Sequence, residues 1–438
     1  MSLSRSLTIG TSSLQAHQSK FDVISHNLAN ASTVGYKANR ANFAEQFNQI
    51  YTRGKSPEAN VGYSNGGNNP LQFGLGVKLA SVNQDMTQGV IESTKRALDV
   101  ALQGDGFFVT KFNGQERFTR AGAFTRDKEG YLVDTNTGAF IQGYNTENDS
   151  NGRPVRNSDG SNRLDRTLTN VKIPWNTVSL PRQTQNITLV GNLNSDAVAG
   201  SDSLRKSSMT IYDNTGGART LTFTFEKTAN TGEWTLGASI DGNDVTISET
   251  LIKFNSDGTL DTPLIININS ADANTALGGD LFKLPVRIQL ADPDNITHGL
   301  KNYSADSTAN FESQDGFPIG ELENIVFDGQ GRLLGAFTNG QTEILGQVAV
   351  ARFANNEGLV RNGGNYFSKS PNSGDPVIGT AVEIFASTEV VGYSLEQSNV
   401  DLTTQFTDMI STQRAFEAAS RTVTVSDTLL AEINQLKR

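Results

Sequence analysis

Cysteine is absent from the 438 residues and histidine occurs three times. Disulfide staples, thiolate nucleophiles and Cys/His zinc sites are thereby excluded. Tryptophan is limited to Trp175 and Trp234, too few for the aromatic platforms of a sugar-cleaving site, and each reads better as a core residue of a central β block. Positive charge is in deficit: 36 Lys and Arg against 46 Asp and Glu leave a net charge of −10, so nucleic acid is not an expected partner. No apolar run approaches the roughly 18 residues of a membrane span, and the first ten residues lack the charged-then-apolar layout of a secretory signal. The expectation is a chain with no membrane span and no cleaved export peptide.

Sites for chemistry are equally scarce. Gly104-Asp105-Gly106 and Gly74-Leu75-Gly76 are followed by no Gly-Lys-Ser/Thr, so neither is a phosphate loop. The Gly-x-Ser-x-Gly spacing occurs once, at Gly62-Tyr63-Ser64-Asn65-Gly66, within a Gly- and Asn-rich stretch rather than at a strand-to-helix elbow, so no serine nucleophile is assigned. Asp292, Asp294 and His298 share one segment, but Asp-Pro-Asp-Asn is ordinary turn chemistry. No catalytic, cofactor-binding or metal-ligating residue is assigned, no cofactor is expected, and the chain reads as a building material rather than an enzyme.

Glycine, at 42 residues, and phenylalanine, at 23, are plentiful, which is a turn-rich β profile. Only the two ends read as long helices. Leu3, Leu7, Gly10, Leu14, His17, Phe21, Ile24 and Leu28 recur in steps of four and three, a heptad seam with Gly10 and His17 as its weak members. At about 1.5 Å per residue that helix is on the order of 40 Å long. It stops at Asn30, Ser32 and Gly35. Near the other end Leu402, Met409, Phe416, Val423 and Leu430 keep a seven-residue spacing, with Phe406, Ile410, Ile433 and Leu436 beside them and Asp401 and Thr403 placed to cap the start. Two outcomes stay open for such helices. They close on each other as an antiparallel hairpin, or they bury their apolar faces head-to-tail against neighbouring copies, giving rings or open filaments. In the second case isolated copies keep these ends largely disordered until they assemble. Candidate assembly residues are Leu3, Leu7, Leu14, Phe21, Ile24 and Leu28 with Leu402, Phe406, Met409, Phe416, Val423 and Leu430.

Between the ends, residues 53–73 are rich in Gly, Asn, Ser and Pro and read as a linker, including Asn65-Gly66-Gly67. Residues 124–133 form a hairpin around an Asp-x-x-Gly turn, and residues 327–334 repeat that layout much later, which suggests that the two stretches share a β domain. A polar stretch near 145–160 marks a boundary, and the short alternating strands after it fit an inserted sandwich or barrel. The expected fold is mainly β with α-helical termini, two β domains with one inserted in the other. The expected ranges are terminal coiled-coil helices at 1–32 and 396–438, a linker at 33–72, a discontinuous β domain at 73–145 and 296–380, an inserted domain at 146–295 and a linker at 381–395.

A resemblance rests on particular residues. Ser13-Leu-Gln-Ala16, Phe21-Asp-Val-Ile24, Asn27-Leu-Ala-Asn30 and Thr33-Val-Gly-Tyr-Lys37 resemble the N-terminal signature of bacterial flagellar axial proteins, those of rod and hook. Ser398-Asn-Val-Asp401, Asp408-Met-Ile410 and Gln413-Arg-Ala-Phe416 resemble the matching C-terminal signature. Gly104-Asp-Gly-Phe-Phe108, Phe118-Thr-Arg-Ala-Gly122 and the stretch from Gly340-Gln-Thr to Phe353 extend the likeness to about half the chain. The motif residues are Asn27, Asn30, Thr33, Gly35, Tyr36, Lys37, Ser398, Asn399, Val400, Asp401, Gln413 and Arg414. Distal-rod members lack a large insertion, so the inserted block points to the hook branch of the family.

The resemblance implies a structural subunit that polymerises with copies of itself into a flexible curved tube, a universal joint carrying motor torque from rod to filament. It implies unfolded export through the flagellar type III apparatus to an extracellular position in the hook. Implied partners are the distal rod protein, the hook cap protein, the hook-length control protein and the hook-filament junction protein. It further implies terminal helices in an inner tube, the first β domain in a middle layer and the inserted domain outside. The alternatives are a distal-rod or other axial protein and, in a different class, a secreted β-rich binding protein or glycan hydrolase.

Overall fold

The computed structural model describes residues 2–56, 58–60, 63–65, 67–150, 153–157, 160–200, 204–292, 298–384 and 388–436. Strands dominate, with one long helix near each end, Ser2–Ala29 and Leu402–Leu436. The chain divides into two compact units, the first comprising Met1–Trp175, Ile325–Leu334 and Ile344–Arg438, the second Asn176–Asn324 and Gly335–Glu343. One β unit is thus inserted in the other.

In the first unit the strand Phe107–Phe112 pairs with Gln115–Thr119, Phe140–Asn145 and Val350–Arg352. Alternation along these strands turns Phe107, Val109 and Phe118 inward, where they meet Phe353 and Phe367. Phe118 and Phe353 lie edge to face at 4.8 Å between centroids, and Phe107 and Phe367 at 5.5 Å, the arrangement aromatic quadrupoles favour. Val100–Gln103 pairs with Glu389–Gly392, and Ile91–Ser93 with Ser394–Glu396, so segments far apart in sequence are laced together at one edge. The two similar hairpins do share this unit. In each an aspartate anchors the turn: Asp127 Oδ1 accepts from the amides of Glu129 and Tyr131, and Asp328 Oδ1 from those of Gln330 and Arg332.

The second unit is a β sandwich with its own core. Along Ala218–Lys227 and Glu233–Ile240 every second residue is buried, namely Leu221, Phe223 and Phe225 on the first and Trp234, Leu236, Ala238 and Ile240 on the second. These meet Ile187, Leu189, Ile266, Ile268, Val286 and Ile288 of the other sheet. The helix Ser270–Leu277 closes one edge through buried Ala273.

Four expectations need correction. Residues 381–395 are not a linker, since Glu389–Gly392 and Ser394–Glu396 are strands paired with Val100–Gln103 and Ile91–Ser93. The inserted unit spans Asn176–Asn324 and Gly335–Glu343 rather than 146–295, so residues 296–324 belong to it and not to the first β domain. Its start is later than expected because the polar stretch after Asn145 is a solvent-facing hairpin of the first unit: Thr146 bridges Leu164, Arg156 bridges Asn162, and Thr169–Asn170 pairs with Gln142–Gly143. Residues 33–72 are not an open linker, since Asn39–Glu45 pairs with Val77–Gln84 and Asn48–Thr52 with Leu71–Gly74. Ribbons of two strands hold their backbone bonds with little buried apolar surface, so their composition resembles that of loops. Gly66 lies outside the described residues. Trp175 is not a core residue of the inserted block; it belongs to the first unit, is 55% exposed, and stacks under the Arg126 guanidinium at 3.5 Å. Trp234, by contrast, is fully buried in the sandwich.

Candidate assembly interface

The two long helices pack antiparallel. Lys20 Nζ meets Asp408 Oδ1 at 3.3 Å, Asn27 Nδ2 donates to Gln405 Oε1 at 3.1 Å, and Gly10 faces Val423. A Cβ on Gly10 would lie 2.7 Å from Val423 Cγ2, so the weak member of the N-terminal heptad is small because the partner helix comes that close. The C-terminal helix turns toward its partner a second heptad, three residues after the apolar one: Gln405, Thr412, Ala419 and Ser426, of which the last three are buried. These side chains are short enough for close approach and supply little apolar area.

The candidate assembly residues therefore divide. Ile24 is buried between the helices, and Leu7, Leu14, Phe21, Leu28, Met409, Val423 and Leu430 are half-buried. Leu402, Phe406 and Phe416 are exposed. The side chain of Leu3 lies outside the described residues. Sequence reading passed over Val425 and Leu429, which are exposed with Ile410, Ile433 and Leu436. Their signal was present as steps of four, Leu402-Phe406-Ile410 and Val425-Leu429-Ile433, two short runs on different faces of the helix. His17 sets its ring edge-on to Phe43, and burial lowers its pKa, with Lys20 adding to the shift.

Where the helices meet the β strands, the motifs of both ends come together. Asn27 Oδ1 accepts from the Asn39 amide and from the Tyr36 hydroxyl, while Asn27 Nδ2 also donates to Asn39 O. Asn30 Nδ2 donates to His26 O at the helix end and Asn30 Oδ1 accepts from Thr33 Oγ1. Asn399 Oδ1 accepts from the Ala38 amide, and its Nδ2 donates to Asp85 O and Thr87 O. Ser398 Oγ accepts from the Val400 amide. Asp401 caps the second helix, its carboxylate accepting from Thr404 Oγ1 and the Thr403 amide, which hold its pKa below the usual range. That cap works above the ordinary carboxylate pKa and is lost as acid protonates it. Gln413 and Arg414 stand apart on the exposed side of the helix.

At the centre lies a buried charge cluster. Lys37 Nζ donates to Glu396 Oε1 at 2.6 Å and to Thr87 O at 2.7 Å. Arg120 Nη1 reaches Glu396 Oε2 at 3.3 Å, and its Nη2 donates to Gly104 O. Burial pushes the pKa of Lys37 and of Arg120 down, and the Glu396 carboxylate opposes it. Arg361 covers the Tyr36 ring at 4.6 Å and donates to Lys37 O. Lys37 was named from its motif; Glu396, Arg120 and Arg361 were not, although Arg120 sits inside the quoted Phe118–Gly122 motif.

Gly35 is held against this cluster with φ of +68°, its amide donating to Glu396 O at 2.7 Å. A Cβ there would fall 2.7 Å from Ala121 N. Gly35→Ala is expected to cost about 1–3 kcal/mol from backbone strain alone, read as a lower Tm of the first unit, with an unchanged Tm refuting the close fit.

Comparison with known proteins adds the family. Residues 7–37 match the flagella basal body rod protein family and 392–436 the flagellar basal body rod FlgEFG protein C-terminal family. Residues 101–192 match the flagellar hook protein FlgE/F/G D1 domain and 188–317 the flagellar basal body protein FlaE D2 domain. The chain is 32% identical to the flagellar hook protein FlgE of Treponema pallidum, over 99% of this chain and 100% of that one. The chain belongs to the flagellar hook protein family. Flagellar hook protein FlgE of Borreliella burgdorferi is likewise 32% identical, covering 99% of each chain, and that of Escherichia coli is 31% identical over 97% of this chain and 98% of the other. The crystal structure of Helicobacter pylori flagellar hook protein FlgE2 superposes with a TM-score of 0.50 at 14% identity, over 70% of this chain and 100% of that one, and supports the fold.

As a hook protein the chain is a structural subunit of the bacterial flagellar hook and not an enzyme, and the family's setting is self-assembly within the flagellar axis. No described helix is long and apolar enough to cross a membrane. The two segments that match the rod-protein families build the helix pair and supply Lys37 and Glu396 of the charge cluster, while Arg120 comes from the segment that matches the D1 domain.

Proposed function

We propose that copies of this hook protein polymerise through their terminal helices into a flexible curved tube that passes motor torque from rod to filament. The observation that carries this is the set of exposed apolar side chains on the C-terminal helix, Leu402, Phe406, Ile410 and Phe416 near its start and Val425, Leu429 and Ile433 further along. Burying a side chain of this kind contributes about 1.5–3 kcal/mol, and several per subunit outweigh the entropy lost on association. The C-terminal helix brings small and polar side chains to the seam inside one chain, so its larger exposed side chains serve contacts between copies. Candidate contact residues include Leu402, Phe406, Met409 and Phe416, with Leu3 at the far end of the N-terminal helix.

The bending role fits the polar, Asn- and Thr-rich surface of the inserted unit, because wet contacts slide at lower cost than dry ones. Export through the flagellar type III apparatus to the cell exterior, with residues 2–29 retained for the helix pair, completes the reading. The partners are the distal rod protein below, the cap and hook-length control proteins during growth, and the hook-filament junction protein above.

Electron microscopy of the purified full chain, beside a variant lacking residues 1–30 and 400–438, tests the proposal. Tubes from the first and none from the second are expected. Monodisperse particles from both, even with a hook cap protein added, would overturn it.

A further inference from the structure

We propose that Glu396 is the torsional clamp of the junction, joining the helix pair to the β strands so that twist applied to one is delivered to the other. The inference rests on the torque-carrying reading above and deepens it. A single backbone connection swivels about its φ and ψ angles and transmits little twist. Several connections resist twist only when they are cross-linked where they run side by side. Three segments run together here: residues 30–38 after the first helix, 85–92 on the way into the β strands, and 394–401 on the way to the second helix.

One carboxylate ties all of them. Glu396 belongs to the third segment. Its Oε1 accepts from Lys37 Nζ of the first at 2.6 Å and from the Gly89 amide of the second at 2.9 Å. Its Oε2 accepts from Arg120 Nη1, on the loop after the strand Gln115–Thr119, at 3.3 Å. Backbone bonds run the same way, from the Gln397 amide to Val90 O and from the Gly35 amide to Glu396 O.

The side chains of Glu396, Lys37 and Arg120 are 0%, 1% and 4% exposed. Water cannot replace these bonds, and charge-assisted bonds of fixed direction in a dry site are stronger and stiffer than exposed ones. Two cations share a single anion, so Glu396 is the member that the others cannot do without. Exposed ion pairs weaken with salt, whereas a pair out of solvent is screened much less. A clamp of this kind holds its stiffness across ionic strengths.

The test is the torsional stiffness of tubes grown from the full chain, measured by rotating a tethered bead. Glu396→Gln keeps the shape and removes the charge; it is expected to lower stiffness about twofold with tube diameter unchanged. Parent tubes should keep their stiffness from about 0.05 to 0.5 M salt. Arg120→Lys, which keeps charge but loses the fork, gives a smaller loss and decides the matter if the Gln variant fails to fold. Variant stiffness equal to the parent's, or a steep fall of parent stiffness with salt, overturns the clamp. Failure of the parent to form tubes would instead overturn the polymer reading on which it stands.

Discussion

Phe406→Asp combined with Ile410→Asp leaves the single chain folded and abolishes tube growth. Both side chains are about half exposed on the C-terminal helix, at 49% and 54%, so replacing them should change monomer stability by no more than about 0.5 kcal/mol each way. In the polymer the same positions lose apolar burial and gain unpaired carboxylates out of water. A loss of about 3 kcal/mol, well within that cost, raises the critical concentration more than a hundredfold. Sedimentation of the variant at concentrations where the parent assembles, with circular dichroism to confirm intact helices, provides the check. Pelleting at the parental concentration would remove these side chains from the assembly interface. Ser411→Asp, exposed on the same helix but already polar, serves as control and is expected to assemble.

The second large effect is confined to the inserted sandwich. Trp234 has no exposed surface and sits among Leu236, Phe223, Phe225 and Ile252 in one core. Trp234→Ala removes the largest side chain of that core and should cost about 3–5 kcal/mol. For a unit of this size that lowers its Tm by about 6–20 °C. Trp234 Nε1 is buried with no partner among the described residues, so Trp234→Phe, which removes the stranded N–H along with part of the ring, should cost distinctly less. Hydrogen exchange resolved along the chain distinguishes a local effect: protection should fall in Asn176–Asn324 and persist between the terminal helices. Equal loss in both units would show that the sandwich does not fold as a body of its own.

Much of the architecture was legible. Seven-residue spacing located both long helices to within a residue or so at their inner ends, because apolar periodicity survives whatever the partner surface turns out to be. Alternation found the strands around Phe107 and Leu221 for the same reason. The paired Asp-x-x-Gly turns at Asp127 and Asp328 were readable as one type, since the carboxylate and the glycine act within five residues.

Other features were not legible, and each failure has a physical cause. Residues 33–72 looked like a linker because two-stranded ribbons depend on backbone bonds, to which every residue contributes alike. The heptad Gln405, Thr412, Ala419 and Ser426 escaped notice because a seam of small side chains carries no hydrophobic signal; only the closeness of Gly10 to Val423 shows why those residues face inward. Trp175 was expected in a core by its type, yet Arg126 and the Asp127 carbonyl satisfy it at the surface.

By itself the sequence determined the class of protein, the two terminal helices, the β character between them and the absence of a thiol or disulfide chemistry, all of which are matters of local pattern and residue count. Tertiary structure alone decided which face of the C-terminal helix turns inward and that Lys37, Arg120 and Glu396, 359 positions apart at the extremes, share one buried site. Spacing along the chain cannot encode that meeting. It depends on strands pairing across the whole length, and on burial making one carboxylate indispensable to two cations.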